Sequence, residues 1–264
     1  MRPTTRKTYK GILDRFRDLK LGTVRCGSLP VAKLEPKHIR KMIDGMADRS
    51  AAANNLLRII RIVMTFAVER GWRNDNPTLH IKPLKRRSDG FMTWSEEDIA
   101  KFEQRWELGT KERLAFDLLL YTAQRSGDVR RMGPQHLANG YLRVVQEKTG
   151  EALELPIHPR LQTSLAAAPD AHLTFVVTKR GEPYTSKGFN QWVREAANLA
   201  GLPKAASAHG LRKAAARRLA EAGCTAHMIM SVTGHRSLRE VERYTRAAGQ
   251  KLLATSAMKR VART

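Results

Sequence analysis

The sequence predicts a mainly α-helical protein with a small antiparallel β-sheet, built as a helical N-terminal domain followed by an α+β domain. Apolar residues recur at helical spacing over most of the 264 residues, as amphipathic helices require. Two short alternating runs flank Thr149-Gly150 and are typical of a β-hairpin. Prolines and a basic cluster interrupt the helical patterns between residues 74 and 90, which indicates a linker. We therefore expect domains over residues 1–85 and 93–264, with a linker over residues 86–92.

The N-terminal domain is expected to be a small bundle of helices. Its first helix begins at a Thr4 or Thr5 cap and has one apolar face, as expected for a helix packed on a core. The apolar residues of that face are Tyr9, Ile12, Leu13, Phe16 and Leu19. A second helix is predicted from Pro36 to about Ala47, and a third is predicted from a Ser50 cap to Gly71.

The C-terminal domain is expected to combine the hairpin with further helices. Ser95 and Asp98 resemble a capping box that opens a helix to about Trp106. Other helices are predicted over residues 111–123, 185–200, 208–222, 226–233, 237–247 and part of 250–261. The strands are predicted over Tyr141–Glu147, Ala152–Leu155 and Leu173–Thr178.

Charge is the strongest compositional signal, because 48 Lys and Arg oppose 25 Asp and Glu for a formal charge of +23. A compact body with this excess repels itself unless a polyanion screens it, so nucleic acid is the first partner to consider. Residues 1–90 hold 21 basic and 8 acidic side chains, and the rest is also basic, so both domains are expected to touch the polyanion. Ribosomal and chaperone-like proteins have basic surfaces too. The candidate DNA-binding residues are Arg6, Lys7, Lys10, Lys85, Arg86 and Arg87.

The sequence has no signal for a metal centre, a cofactor or a membrane segment. Cys26 and Cys224 are the only cysteines, no zinc-type cluster accompanies them, and no signal-like segment opens the chain, which fits a reducing cytoplasm. The longest apolar stretches, such as Ile59–Val68, are interrupted by Arg61 and are too short to span a bilayer.

Cleavage of a phosphodiester without a metal requires donors for a pentacoordinate phosphorane dianion, and arginine guanidiniums are the natural choice. Arg125 follows an apolar helix, where a solvated arginine is not expected. Asp128 can cap the next turn, and a local Arg125–Asp128 salt bridge is the alternative explanation. His209 and Arg212 lie three residues apart at a helix start, so both could face one phosphate, although such a pair is common by chance.

Two further residues could act in the same reaction. Tyr244 follows Gly234-His235 by nine residues, and its phenol could be a nucleophile. A lone tyrosine on a helix is more often a half-buried core residue. Lys148 lies at the hairpin turn, where a lysine is by default a solvated surface charge.

In this order and spacing, inside a basic two-domain chain, these residues resemble the catalytic signature of the tyrosine recombinases, the phage-integrase family. The matching residues are Arg125, Lys148, His209, Arg212, His235 and Tyr244. The resemblance covers essentially the whole chain. It implies that residues 1–85 are a core DNA-binding domain and that residues 93–264 are a catalytic domain, which clamp double-stranded DNA from opposite sides. Asp128 would be the acidic residue that family members carry three positions after the first arginine.

The chain departs from the usual pattern of the family in two ways. Thr122-Ala123 stands where members commonly have Thr-Gly before the arginine. The chain also begins at the first core-binding helix, so we expect the separate arm-binding domain of many phage integrases to be absent. A short member such as the Xer type, or a truncated start, would explain this.

The resemblance implies a transesterification that needs neither a nucleotide cofactor nor a divalent metal. Tyr244 attacks the scissile phosphate, giving a 3′-phosphotyrosyl enzyme and a free 5′-hydroxyl, and the 5′-hydroxyl of a partner strand reseals the DNA. In this scheme Arg125 and Arg212 hold the non-bridging oxygens and His235 is a third donor. His209 is the candidate base, and Lys148 protonates the departing 5′-oxygen.

Two alternatives remain at this point: a type IB topoisomerase, which uses the same site chemistry, and a non-catalytic DNA-binding protein derived from an integrase. A recombinase of a phage or mobile element would work as a tetramer on DNA, associated with the nucleoid, with accessory DNA-bending or excision factors. Its C-terminal segment would dock on a neighbouring subunit, unless it is a frayed basic tail. The apolar residues available for docking are Leu252, Leu253, Met258 and Val261.

Overall fold

The computed structural model describes residues 1–85, 90–168, 173–247 and 250–262. The chain forms two compact units, Met1–Ser88 and Asp89–Thr264. Helices account for most of the described residues of each unit, and the second unit contains a three-stranded antiparallel sheet. The predicted fold class, mainly α with a small antiparallel sheet, is confirmed.

The first unit is a helical bundle with one short hairpin. Its elements are α1 (Pro3–Asp18), β1 (Lys20–Leu21), β2 (Val24–Arg25), α2 (Pro36–Asp44) and α3 (Ser50–Glu69). The apolar faces of the helices meet in one core, as the spacing predicts. The most buried members of this core include Ile39, Ile43, Leu57, Ile60 and Met64.

The predicted helix ends of the first unit were wrong by a few residues. Helix α1 begins at Pro3 with Arg2 as the N-cap, so Thr4 and Thr5 lie inside the helix. Proline suits this position because its missing N–H would be unpaired there. Likewise Ser50 is the first residue of α3 and not its cap, and α2 ends at Asp44 because residues 47–49 form a separate 3₁₀ turn.

Helix α3, together with the 3₁₀ turn before it, contradicts the expectation that every apolar stretch is too short to span a bilayer. The stretch Ala47–Glu69 has 23 residues and would be enough, by length and composition alone, to cross a membrane. Its polar side chains, however, have partners inside the first unit. Asn54 exchanges hydrogen bonds of 2.9 and 2.8 Å with the backbone of Leu84, and Arg61 donates to the carbonyl oxygen of Ile81 at 3.1 Å. These contacts are those of a core helix.

The second unit surrounds its core with helices from every part of its sequence. They are α4 (Glu96–Arg105), α5 (Lys111–Thr122), α6 (Ser126–Val129), α7 (Pro159–Ala167), α8 (Ser186–Leu199), α9 (Ala208–Glu221), α10 (Ala226–Thr233), α11 (Leu238–Ala247) and α12 (Gln250–Val261). The predicted capping box of α4 is present, since Asp98 N donates to Ser95 Oγ and Ser95 N donates to Asp98 Oδ2. Helices α6 and α7 were not anticipated.

The sheet has the strand order β3 (Leu137–Ala138), β4 (Tyr141–Val145) and β5 (Ala152–Pro156). The predicted hairpin is β4 and β5, with Leu142 opposite Leu155 and Val144 opposite Leu153. The third strand was predicted wrongly at Leu173–Thr178. That segment forms only an isolated bridge between Val177 and Pro183. The third strand is the two-residue β3, which is too short to show an alternating pattern.

Helix α9 is held at its start by the segment that precedes α4. The indole Nε1 of Trp94 donates to the carbonyl oxygen of Ser207 at 3.1 Å. Gly210 faces this segment so closely that a Cβ there would lie 2.4 Å from the Met92 carbonyl oxygen and 2.7 Å from Trp94 Cδ1. A backbone carbonyl and a buried indole ring cannot move aside easily. A side chain at position 210 would therefore push the start of α9 away from the segment that precedes α4.

Substitution Gly210→Ala should therefore destabilise the second unit, by about 1–3 kcal/mol as in other overpacked cores. The matched control is Gly11→Ala in α1, where a Cβ meets nothing within 4 Å and the loss of a helix glycine should stabilise by about 0.5–1 kcal/mol. Urea unfolding of both variants gives the sign and size of the change in the free energy of unfolding. A neutral or stabilising Gly210→Ala would contradict this packing.

Candidate active site

Arg125 is positioned by a turn in the left-handed region of backbone space. Ala123 ends α5 with φ of 53°, and Arg125 then becomes the N-cap residue of α6. The left-handed region costs an alanine about 1–2 kcal/mol relative to right-handed backbone, whereas glycine adopts it readily. Ala123 thus adopts a backbone conformation that favours glycine, which is the residue that the resemblance implies at this position.

Arg212 is the most buried cation at the site, with 1% of its surface exposed. Its Nη1 donates to the carbonyl oxygen of Ala123 at 2.6 Å, and its Nη2 lies 3.0 Å from His235 Nε2. None of the carboxylates that the structure describes forms an ion pair with it. Burial, together with the nearby charge of Arg125, lowers the pKa of Arg212 to about 10.

His235 is held in one tautomer by its two neighbours. Arginine can only donate, so Nε2 of His235 accepts from Arg212 and its proton lies on Nδ1. Nδ1 is 2.7 Å from Thr233 Oγ1, which in turn donates to the Ile229 carbonyl oxygen. Burial and the Arg212 charge lower the pKa of His235 to about 4, so the ring is neutral at neutral pH.

Tyr244 lies on α11 beside this histidine. The two ring centroids are 5.9 Å apart with an interplanar angle of 34°. The rest of the tyrosine ring packs against a small cluster that includes Ala216, Ile229 and Val241. Tyr244 is therefore half-buried against a core, as the alternative from the sequence has it, and it also borders His235; its role as the nucleophile stays a prediction.

His209 lies at the start of α9 with an exposed side chain. Its ring packs on Phe91 with centroids 4.6 Å apart. Partial desolvation lowers its pKa, and the charges of Arg212, Lys213, Arg125 and Lys148 lower it further. His209 thus lies in the electrostatic field of several cations, Arg125 and Lys148 among them.

Lys148 occupies the turn between β4 and β5, with an exposed side chain. Among the residues that the structure describes, no hydrogen bond or ion pair to its ammonium is present. Hydrogen bonds across the turn fix its backbone. Thr149 Oγ1 donates to Gln146 Oε1 at 2.7 Å, and Gly150 N donates to the Gln146 carbonyl oxygen at 2.8 Å. The lysine is thus a free cation on an anchored turn.

Asp128 lies within α6 and not at its cap, and it is 3% exposed. Its Oδ1 accepts from the backbone N of Glu147 at 2.8 Å and from Arg131 at 3.3 Å. The expected alternative of an Arg125–Asp128 ion pair is therefore not observed, since the cation paired with Asp128 is Arg131. Asp128 attaches the Lys148 turn to the element that follows Arg125.

Two buried amides complete the site, and neither was anticipated from the sequence. Gln146 Oε1 accepts from Arg125 Nη1 at 2.7 Å, and Gln146 Nε2 donates to Gln124 Oε1 at 2.6 Å. Both glutamines are fully buried. Their signal in the sequence is weak, because it consists only of their closeness to Arg125 and Lys148 along the chain.

The candidate DNA-binding residues of the first unit form a separate group. Arg6, Lys7, Lys10 and Lys85 are exposed, and Lys10 pairs with Asp14 at 2.7 Å. Arg86 and Arg87 lie outside the described residues. No group of three or more His, Cys, Asp or Glu side chains suited to a metal ion occurs in the described part of the chain.

Comparisons with known proteins show which family the chain resembles in sequence and fold. Residues 95–251 match the model of the phage integrase family. The integrase of Escherichia phage HK022 is 25% identical over 255 residues, which are 91% of this chain and 71% of that protein. A lambda integrase dimer bound to a COC′ core site is 22% identical with a TM-score of 0.80, covering 95% of this chain and 91% of that one. A lambda integrase tetramer bound to a Holliday junction is also 22% identical and has a TM-score of 0.79, covering 95% and 74% of the two chains.

The family match spans more than half of the chain and contains the whole cluster from Arg125 to Tyr244. The chain therefore belongs to the phage integrase family, and it is a tyrosine-type site-specific recombinase.

Stability should fall as the pH drops from about 6.5 toward about 4, because an unfolded histidine binds a proton near pH 6.5. The folded-state pKa values of His235 and His209 are lowered, so their neutral forms contribute stability that is complete above this window and lost below it. Urea unfolding between about pH 7 and about pH 5 measures the slope of the free energy of unfolding against pH. His235→Gln should flatten it, whereas His80→Gln, at an exposed position of the first unit, should not. An unchanged slope in His235→Gln would exclude this contribution.

Proposed function

We propose that this chain cleaves and rejoins double-stranded DNA through a 3′-phosphotyrosyl intermediate on Tyr244. The observation that carries the proposal is the buried Arg212, which has no carboxylate partner among the described residues and contacts the histidine next to Tyr244. A buried, unpaired guanidinium is costly, and an anion with the geometry of a phosphate relieves that cost with charge-assisted hydrogen bonds. The scissile phosphate is that anion.

In the first step the Oη atom of Tyr244 attacks the phosphorus, and the bond from phosphorus to the 5′-oxygen breaks. A free phenol has a pKa of about 10, so it needs a base at neutral pH. His209 suits this role because its pKa is lowered by desolvation and by the cations around it, which keeps the ring unprotonated. In the second step a 5′-hydroxyl attacks the phosphotyrosine and releases Tyr244.

The remaining residues stabilise charge or supply a proton. Arg125 and Arg212 hold the non-bridging oxygens as planar donors. His235 is the third donor in this scheme. Its Nε2 accepts from Arg212 in the free protein, so the role requires that Arg212 turn its donor to the phosphate and that the ring proton move from Nδ1 to Nε2 when DNA binds. Lys148 protonates the departing 5′-oxygen. Asp128 supports the arrangement from behind through the Glu147 backbone.

We further propose that residues 1–85 form a core DNA-binding domain and residues 93–264 the catalytic domain, with residues 86–92 as the linker between them. The exposed Arg6, Lys7 and Lys10 on α1 would contact DNA phosphates, together with Lys85, Arg86 and Arg87. Such contacts give affinity without sequence selection.

Assembly as a tetramer on DNA is proposed by analogy with the lambda integrase tetramer on a Holliday junction. Met258 and Val261 of α12 are exposed, at 66% and 64%, and they are suited to dock on a neighbouring subunit. The side chains of Leu252 and Leu253 lie outside the described residues. Association with the nucleoid and accessory DNA-bending or excision factors belong to the same proposal.

The same site chemistry would serve a type IB topoisomerase, which religates the original strand. The integrase relative and the family match favour recombination over it. A binding-only protein derived from an integrase is disfavoured because the catalytic set is complete in the sequence.

Tyr244→Phe should bind site DNA but form no covalent adduct, because the ring packing remains while the nucleophilic oxygen is lost. Denaturing gels after reaction with a nicked suicide duplex measure the adduct, and resolution of a synthetic Holliday junction by the unaltered chain separates a recombinase from a topoisomerase. An adduct in the Phe variant would move the role to another residue, such as Tyr184.

Lys148→Ala should cleave an ordinary phosphodiester slowly, by the roughly 10²–10⁴-fold that general acid catalysis contributes. A substrate with sulfur at the bridging 5′ position has a leaving group that departs without a proton, so the variant should return close to the unaltered rate there. Arg212→Ala, which acts on non-bridging oxygens, should stay slow on both substrates. If the sulfur substrate does not restore the Lys148→Ala rate, another residue is the acid, with His235 next to be tested.

A further inference from the structure

The side-chain amide of Gln146 is fully buried and uses its entire hydrogen-bonding capacity. Its Oε1 accepts from Arg125 Nη1 and from Thr149 Oγ1, each at 2.7 Å. Its Nε2 donates to Gln124 Oε1 at 2.6 Å and to the Thr233 carbonyl oxygen at 2.8 Å. An amide offers two acceptor and two donor positions, so all four are occupied. Because Arg125 can only donate and a carbonyl can only accept, the amide has one orientation.

The four partners of this amide belong to segments that carry different parts of the site. Arg125 is contacted directly. Thr149 is the neighbour of Lys148 in the β4–β5 turn, and Thr233 is two residues before His235. The amide therefore ties a phosphate-binding guanidinium to the lysine turn and to the histidine turn at a single point.

The fit around this amide leaves no room for adjustment. Gly234 follows Thr233 with φ of 67°, and a Cβ at this position would lie 2.4 Å from Gln146 Nε2. On the other side Gln124 is fixed by its own Nε2, which donates to the carbonyl oxygens of Thr122 at 2.9 Å and Val232 at 2.8 Å. Because Gly234 and Gln124 cannot make room, a shift of the Gln146 side chain would displace Arg125 or the Lys148 turn.

We propose that Gln146 is a positioning residue that couples Arg125 to the Lys148 turn, so that the guanidinium and the general acid reach the same phosphate together. The proposal depends on the proposed function, since it assigns Gln146 an effect on two residues with separate roles there. Lys148 has no side-chain partner of its own in the described part of the chain, so its reach is set by the anchoring of its turn. The Gln146 amide anchors the turn through the Thr149 hydroxyl, beside the backbone bonds of the turn to Asp128 and Arg236.

The two couplings can be separated with two substrate analogues. Sulfur at the bridging 5′ position removes the need for the general acid. A methylphosphonate at the scissile position removes the charge of one non-bridging oxygen and with it part of the need for Arg125. A loss that comes from misplaced Lys148 should shrink only on the first analogue, and a loss that comes from misplaced Arg125 should shrink only on the second.

The experiment measures single-turnover cleavage of full-length protein on saturating suicide duplex. Thr149→Val keeps the side-chain shape and removes one hydroxyl, so it should slow the phosphodiester by about 10-fold or more, in line with the cost of small misplacements, and recover on the 5′-sulfur substrate. Gln146→Ala should lose about 10²-fold and recover in part on each analogue. Gln191→Ala, which removes an amide bonded to Glu195 on the surface of α8, is the matched control and should match the unaltered chain.

The outcomes distinguish this inference from the function on which it depends. If the unaltered chain forms no adduct on the suicide duplex, the proposed function fails. If the unaltered chain cleaves and Thr149→Val cleaves equally fast, the coupling of the turn is refuted. If both variants are slowed equally on all three substrates, Gln146 is only structural. Thr149→Val keeps the test decisive even if Gln146→Ala fails to fold.

Discussion

The structure of the second unit depends on burying the guanidinium of Arg212 without a carboxylate partner among the described residues. A buried charge left unpaired normally costs several kcal/mol. Among the described residues, the hydrogen bonds that offset this cost are those to the Ala123 carbonyl oxygen and His235 Nε2. The left-handed backbone at Ala123 aims the first of these acceptors, and the Thr233 hydroxyl fixes the tautomer of the second. A carboxylate partner would neutralise the cation, whereas the proposed function needs its charge to remain available to a phosphate.

We expect the closely spaced cations of the site to lower the free energy of unfolding while they favour the binding of an anion. Arg125 and Arg212 repel each other across the site, which is one reason that the pKa of Arg212 is lowered. A chain with a net charge of +23 adds repulsion over longer distances. DNA binding removes both penalties, so by mass action the polyanion is expected to stabilise the fold as well as to serve as substrate. Under the proposed function, the clustering of cations at the site and its cost to the stability of the free protein have one cause.

The sequence was sufficient to identify the candidate catalytic residues, but not the buried amide side chains that position them. Arg125, Arg212, His235 and Tyr244 are distinctive types in a fixed order, and the structure brings them together. The amides of Gln124 and Gln146 are generic side chains, and their partners lie up to 108 residues away along the chain, so no local pattern marks them. Helix ends and the strand at Leu137–Ala138 were missed for a related reason, because short elements depend on tertiary contacts more than on periodicity.

Helix α3 has a consequence for the synthesis of the chain. Its polar residues Asn54 and Arg61 find their partners at Leu84 and Ile81, which leave the ribosome some 20 to 30 residues later. Until then the apolar face of α3 is exposed and its two polar residues lack these partners. We therefore expect the first unit to complete its core only after residues 78–84 have been synthesised, an order set by where along the chain the partners are encoded.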